Sequence, residues 1–529
     1  MSRLLAAVLL SMAAVPALAL PPPCNAGLVW ADRNGNGAPD RGEEPLAGVK
    51  VSDGVALVTT GADGAYVLPV EDGRTTFVIK PPGYDLPRRR DGLPDFWTHI
   101  RTDPGPALEY GGIPAAFPSC RNFGLVPRTP AGGPERALEV LVFSDPQAKN
   151  QADVDYYRRD IVEPLVGKHG ARLGITLGDV ANDDLSLYPA LNQATALLQA
   201  PWLHVAGNHD LDFDATRDED SLLTFRNTYG PDTFAWEEEQ AVFVGLDDVV
   251  YQPGQAPSYV GGLREDQFAF LEAYLPTVPK ERLLVLGMHI PVFDAKPGVE
   301  TFRHADRTRL FALLREFPHV LLLSGHSHTQ QHVHHDARSG WQGAKPLHEY
   351  NVGAACGAFW SGAKDASGIP DSTMSDGTPN GYANLSIGSG GAYALAWHPA
   401  RDPQRAMSLH APRVLRQGAY PAWGVYANVF MGQDDTRVEY RVDGGEWKPM
   451  KRVLQPDPGL LAENARDDDA TALRGYDRSP EATPSTHLWR GALPTGLPTG
   501  EHVVEVQAWD PEGRPQRAST RYRLQSASP

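Results

Sequence analysis

The sequence predicts an α/β core held between an N-terminal β-sandwich module and a C-terminal β-rich domain. Three observations carry this expectation. A chain of 529 residues is longer than one hydrophobic core serves. Its two ends are short alternating runs broken by Asp-Gly and Gly-Gly turns, as in Asp53-Gly54, Asp72-Gly73 and Asp443-Gly444-Gly445. Between them, buried apolar strands alternate with helix-like stretches from about residue 136. Ordinary hydrophobic (41%) and charged (21%) content excludes wholesale disorder. The formal charge of −17 repels phosphate backbones and anionic lipid, which argues against non-specific nucleic-acid or membrane-surface binding.

The first 19 residues read as an export signal. Arg3 gives a positive start, Leu4 to Val15 is apolar, and Ala17-Leu18-Ala19 offers small residues for cleavage. The run is too short to span a bilayer comfortably, and no later stretch reaches transmembrane length. The expected address is therefore periplasmic or secreted. A lipid anchor on Cys24 is the rival reading, against which Pro21-Pro22-Pro23 speaks. In an oxidising compartment Cys24 and Cys120 would bridge the module's ends; two free thiols read the same in sequence. Cys356, among small residues, reads as a buried hydrophobe.

The N-terminal module is expected over 24–128, and it carries a loop of its own. Asp32, Asn34, Asn36, Asp40 and Glu43 stand at loop positions 1, 3, 5, 9 and 12, with Gly37 at position 6 and the Ala38 carbonyl at position 7. That spacing wraps one Ca²⁺; an empty Asx turn is the blander alternative. A Pro/Gly linker, Pro127 to Pro134, then interrupts regular structure.

The core is expected over 136–345 and the C-terminal β-rich domain over 346–526. Core strands at 138–143, 172–178, 202–206, 282–288 and 319–324 finish in polar residues, which is where open α/β sheets bind ligands. The finishes hold Asp145 and Gln147, Asp179, Asn208 with His209 and Asp210, His289, and His326 with His328. One such finish is a turn or helix cap. Five in order predict a convergent metal site. Carboxylates, amides and imidazoles without cysteine suit Mn²⁺, Fe or Zn²⁺, and seven ligands suit two ions sharing a bridging carboxylate. His332, His334 and His335 are expected to ride a strand, and His204 to be a satisfied core residue.

The ordered set resembles the calcineurin-like metallophosphoesterase superfamily over about 138–330, in its three-part exported bacterial subset. The resemblance implies a β-sandwich core flanked by helices. It also implies that Asp145, Gln147, Asp179 and His328 hold one metal, while Asp179, Asn208, His289 and His326 hold the other. His209 would face the phosphoryl group and Asp210 would orient His209. Gln147 stands where most members carry His, so this first site should bind less tightly and lean toward Mn²⁺ or Mg²⁺. Phe359, Trp360 and Tyr382 resemble that subset's C-terminal part and are candidates to wall the substrate cleft, or else interface packing.

These readings converge on an exported dinuclear-metal phosphoesterase whose partner is a phosphorylated substrate, a phosphodiester first. A nucleotide pyrophosphatase or phosphomonoesterase is the alternative within enzymes. A calcium-stabilised surface-binding protein is the alternative outside them, and the intact ligand set opposes it. Oligomeric state leaves no mark in the sequence.

Overall fold

The computed structural model describes residues 24–116, 120–128, 137–296 and 298–527. The expected export signal at 1–19 and most of the expected 127–134 linker lie outside the described residues.

The N-terminal module is built from two small sheets. In one, Ala26–Ala31 pairs antiparallel with Ala65–Val67 and parallel with Phe123–Pro127. In the other, Lys50–Ser52 and Thr75–Val78 lie between Leu57–Thr59 and Trp97–His99. The parallel register sets Val29 beside Phe123, and just before those strands a disulfide joins Cys24 to Cys120. Val29, Phe77 and Phe123 belong to the same hydrophobic core as the central strands, so the module is fused to the core.

Two facing sheets form the centre of the molecule. One runs in the order Trp202–Val205, Leu173–Leu177, Leu138–Phe143, Gly381–Ile387, Tyr393–Pro399, with the first three strands parallel. The other runs Phe234–Glu237, Ala241–Gly245, Leu283–Gly287, Val320–Ser324, Leu347–Asn351, Gln331–His335. Leu173–Leu177 and Leu283–Gly287 are buried throughout, because both their faces are covered. The sheets meet so closely that a Cβ on Gly287 would come within 3.0 Å of Ile175 and 3.5 Å of Val205. Helices such as Tyr188–Thr195, Glu265–Tyr274 and His304–Leu314 belong to the same unit, each with buried apolar residues. The fold class is therefore the expected mixed α/β one with β-rich ends.

One boundary differs from expectation. Strands Leu347–Asn351, Gly381–Ile387 and Tyr393–Pro399, assigned by sequence to the 346–526 domain, are hydrogen-bonded into the two central sheets. The irregular, Gly- and Asp-rich stretch before 381 disguised this return, since it breaks the strand rhythm without ending the domain. A separate sandwich core starts only around Met407, with Val425, Trp489, Val504 and Tyr522 at its centre. That unit also contains a helix, Pro458–Asp469, capped by Asp457 accepting from Gly459 N and Leu460 N. A buried His487–Asp376 pair at 3.1 Å fastens it to the loop leaving the core.

Candidate metal centre

The candidate ligands occupy the C-terminal ends of the parallel strands in both sheets. Five of the seven, Asp145, Gln147, Asp179, His326 and His328, have positive φ between 44° and 69°. Non-glycine residues avoid this region, so sharp turns held against their preference lift each side chain off its strand end. Backbone bonds fix the turns: Asp145 N donates to Gly178 O, Gln147 N to Asp179 O, and Gly325 N to His289 O.

The side chains converge as the sequence predicted they should. Asp179 Oδ2 lies 3.3 Å from His289 Nε2 and 3.3 Å from Gln147 Nε2. Asn208 Oδ1 lies 3.0 Å from His289 Nε2, and His328 Nε2 lies 3.4 Å from Asp145 Oδ1. Donor atoms of Asp179, His289 and His326 all fall within 4.8 Å of one another. All seven side chains are thus brought into one constellation by direct contact or by a shared neighbour, with His326 N bonded to Asp145 Oδ2.

Whether this donor set fits cations can be judged from what it lacks. Asp145 Oδ1 is buried and forms no close hydrogen bond, with the His328 ring nitrogen beside it at 3.4 Å, an incomplete shell for a carboxylate oxygen that a cation would complete. His289 and His328 each commit Nδ1 to a backbone carbonyl, Leu177 O at 2.8 Å and Gly357 O at 2.6 Å. That fixes the ring orientation and leaves Nε2 facing the carboxylates, the arrangement metal-binding imidazoles use. Burial would push His289 down, yet the Asp179 and Asp145 carboxylates hold its proton to about 10. Burial would likewise raise Asp179, while His289 and His209 pull it below the usual carboxylate range. His326 goes the other way, down to about 4, through burial and the neighbouring His289. A pocket whose carboxylates hold protons on His289 and His328 is one in which a cation can replace them. The residues fit two divalent ions.

Gln147 needs a turn to fit. Its Nε2 faces Asp179, while Oε1 lies 3.6 Å from Cys356 Sγ. Rotating the amide presents the oxygen to the cation and the NH₂ to the sulfur. Cys356 is free and fully buried, a small hydrophobe as expected, but one packed against two candidate ligands, Gln147 and His328. Gln147→His is expected to tighten the first site and shift its preference away from Mn²⁺, by about 10–100-fold in affinity as for other changes around metal ligands. Isothermal titration of the chelated protein with Mn²⁺ and Zn²⁺ checks it, and unchanged affinities for both count against Gln147 as a ligand.

His209 is positioned differently from the expectation. Its Nδ1 pairs with Asp183 Oδ1 at 2.7 Å, not with Asp210. Asp210 points into the protein, accepting from Gly207 N, Val180 N, Ala181 N and the Tyr188 hydroxyl at 2.9–3.3 Å. It braces the loops that carry Asp179 and Asn208, and burial together with the Asp179 charge lifts it to about 7. Burial works against the His209 proton, but the bond to Asp183 raises its pKa above the ordinary value. The two acids therefore predict opposite phenotypes. Asp183→Asn is expected to lower kcat about 10–100-fold with the melting temperature unmoved. Asp210→Asn is expected to cost about 1–3 kcal/mol of stability by opposing a donor to buried amides. Paired melting curves and turnover rates separate them.

The three aromatic candidates divide. Phe359 is 47% exposed and lies beside the His328 ring with centroids 4.5 Å apart, which leaves it a candidate for the cleft wall. Trp360 is fully buried with Nε1 bonded to Pro146 O, and Tyr382 is buried between Phe143 and His398. Neither wall role holds for these two: a left-handed turn at 359–360 sends consecutive side chains to opposite sides, and strand pairing turns Tyr382 into the sheet.

Other supports escaped the sequence reading. Asp248 Oδ1 accepts from His289 N and Ile290 N at 3.0–3.1 Å. Glu349, fully buried, accepts from Val292 N and the Ser324 hydroxyl. Asp248 follows the strand at 241–245, so the same strand-end rule would have found it. Glu349 sits mid-strand and gave no such signal. His332, His334 and His335 do ride a strand; His332 bonds His348 and His335 bonds Glu349. His204 is buried against Tyr229.

In the calcium-type loop Asp32 is buried and accepts from Gly35 N, Asn36 N and Gly37 N at 2.8–3.2 Å. Asn34 and Asn36 turn their NH₂ groups to Asp40, and Glu43 accepts from Arg33 N and Asp40 N. The candidate oxygens are gathered in one loop, whose Ala38 also donates its N–H to Asn36.

Comparison with known proteins adds three family matches in chain order. They are the N terminal of calcineurin-like phosphoesterase over 33–109, calcineurin-like phosphoesterase over 138–330, and the C terminal of calcineurin-like phosphoesterase over 349–515. A probable glycerophosphodiester phosphodiesterase GpdQ of Arcobacter nitrofigilis is 28% identical over 206 residues, 36% of this chain and 71% of that protein. Among solved structures, a dimetal phosphatase from Danio rerio aligns with 49% of this chain and 99% of its own at 15% identity and a TM-score of 0.33. A purple acid phosphatase from yellow lupin aligns with 67% of each chain at 11% identity and a TM-score of 0.39.

Proposed function

The chain belongs to the calcineurin-like phosphoesterase family and is thereby a metal-dependent phosphoester hydrolase; on that premise we propose that it hydrolyses a phosphodiester outside the cytoplasm. The single observation that carries the reading is the meeting of seven donors from five strand ends, Asp179 among Gln147, His289 and His326 and buried Asp145 Oδ1 facing His328. Asp145, Gln147, Asp179 and His328 would hold one cation, and Asp179, Asn208, His289 and His326 the other, drawn from Mn, Fe or Zn. Bound there, the pair supplies Lewis-acid charge for the phosphoryl oxygens and a deprotonated water as nucleophile at neutral pH.

The chain's own groups complete the chemistry. Asp183 holds His209 Nδ1 and favours the protonated ring, so Nε2 is the nitrogen free to protonate a departing alkoxide. Phe359 covers His328 and gives the leaving group an apolar surface beside the ligands. No covalent intermediate is needed. Diester preference is supported by the name of the Arcobacter relative, and the extracytoplasmic address by the N-terminal signal pattern and the Cys24–Cys120 bridge. Turnover of bis-p-nitrophenyl phosphate with Mn²⁺, set beside p-nitrophenyl phosphate and a nucleotide diphosphate, tests this. Faster turnover of either of the last two would overturn the diester assignment.

We assign one Ca²⁺ to the N-terminal loop, held by Asp32, Asn34, Asn36, the Ala38 carbonyl, Asp40 and Glu43. Asn34 and Asn36 would rotate to offer Oδ1. At calcium a hundredfold above its Kd the ion adds about 2.7 kcal/mol of stability. EGTA should therefore lower the melting temperature of the wild-type chain and leave Asp32→Ala unmoved; equal curves for the wild type with and without chelator would refute it.

A further inference from the structure

His326 and His328 of the candidate centre each lie against an aromatic ring from elsewhere in the chain. Phe359 lies beside His328, with ring centroids 4.5 Å apart. Tyr259 lies beside His326, with centroids 6.0 Å apart and ring planes at 83°. Both rings are partly open to solvent, whereas Trp360 and Tyr382 are buried.

The two rings come from unrelated elements, and each element is held in place. Phe359 stands on a left-handed turn whose next residue, Trp360, is bonded to Pro146 O. Tyr259 opens the strand Tyr259–Gly261, which pairs antiparallel with Val249–Tyr251, so Tyr259 stands across from Tyr251. Tyr251 N donates to Asp218 Oδ1 at 2.6 Å and its hydroxyl to Phe213 O at 2.8 Å. Beyond the second strand, Gly262 N donates to Asp248 O at 2.9 Å. Asp248 is also the residue that braces His289, so Tyr259 and a candidate ligand share one support. The charge of Asp179 reaches the Tyr259 phenol. Its hydroxyl has no hydrogen-bond partner among the described residues, so the fold does not depend on that oxygen.

The rings also divide between the two ligand sets, since His326 is grouped with Asn208 and His289, and His328 with Asp145 and Gln147. A phosphodiester carries two organic groups on one phosphorus. When its unesterified oxygens turn to the cations, both groups must be accommodated beside the ligands. One ring is available for each.

We propose that Tyr259 is a specificity-determining residue whose ring receives the ester group that stays on phosphorus, opposite the leaving group on Phe359. The proposal rests on the phosphodiester reading above and adds a substrate class to it. The retained group is flat and aromatic, because a ring face or edge gains most from another ring.

Phenyl p-nitrophenyl phosphate and methyl p-nitrophenyl phosphate share a leaving group and differ only in the group retained. The ratio of their kcat/KM values, measured with the Mn²⁺-loaded full chain, therefore isolates the retained arm. Tyr259→Ala should lower that phenyl-to-methyl ratio about tenfold, while Tyr259→Phe, which keeps the ring, should hold it within about twofold. Phe359→Ala should slow both esters alike. Metal content and melting curves of each variant, set beside the wild type, separate a lost contact from a damaged centre. Calorimetric binding of diphenyl phosphate relative to dimethyl phosphate should lose the same factor in Tyr259→Ala, and this readout needs no turnover. An unchanged preference in Tyr259→Ala would overturn the proposal. So would an equal loss in Tyr259→Phe, which would give the role to the hydroxyl. The phosphodiester reading fails by a different result, faster turnover of p-nitrophenyl phosphate, which leaves the comparison between two diesters intact.

Discussion

Asp179→Asn is expected to abolish turnover and reduce the metal content together. This carboxylate touches Gln147 of one proposed ligand set, His289 of the other and, through Oδ1, the His209 amide at 2.8 Å, which places it to bridge the two. An amide offers one neutral oxygen where two cations need a shared anion. Losing the transition-state charge stabilisation that a metal provides, about 4 kcal/mol, corresponds to roughly a thousandfold in kcat/KM. Metal analysis of the purified variant beside a rate measurement checks the coupling. Full metal occupancy with no activity would move Asp179 from binding to chemistry, and wild-type activity would dissolve the centre altogether.

Gly207→Ala is expected to cost about a hundredfold in activity without touching a ligand. A Cβ there would sit 2.2 Å from both Asp179 Oδ1 and Asp179 N, and neither neighbour is the free end of a flexible chain. Something must shift, and a displacement near 1 Å at a reacting centre is worth about two decades of rate. The strain itself should cost about 1–3 kcal/mol. Gly170→Ala, where a Cβ meets nothing within 4 Å, is the control. If Gly207→Ala behaves like that control in rate and melting temperature, the packing around the bridge is looser than these distances imply.

The candidate metal ligands were legible because each follows an apolar run that must be buried, and burial of the run fixes where its polar successor emerges. The same rule stopped short of side-chain direction. Asp183 and Asp210 both flank His209 in the folded loops, and Asp183 meets the ring while Asp210 is taken by buried backbone amides. Trp360 and Tyr382 share the composition of a cleft wall with Phe359 but face the interior, a distinction set by backbone geometry that residue type does not encode. Asp248 could have been found; Glu349 acts from mid-strand, where an acid reads as an exposed alternation. The edge of the core was misplaced because a long irregular excursion precedes its last two strands.

Those last two strands have a practical meaning for anyone trimming the molecule. Gly381–Ile387 runs along Leu138–Phe143, the strand that delivers Asp145. A fragment ended at residue 345 would strip that neighbour away and leave an apolar ribbon with open amides and carbonyls, ready to recruit other chains. Such a piece should precipitate or swap partners, whereas one carried through Pro399 keeps its border closed.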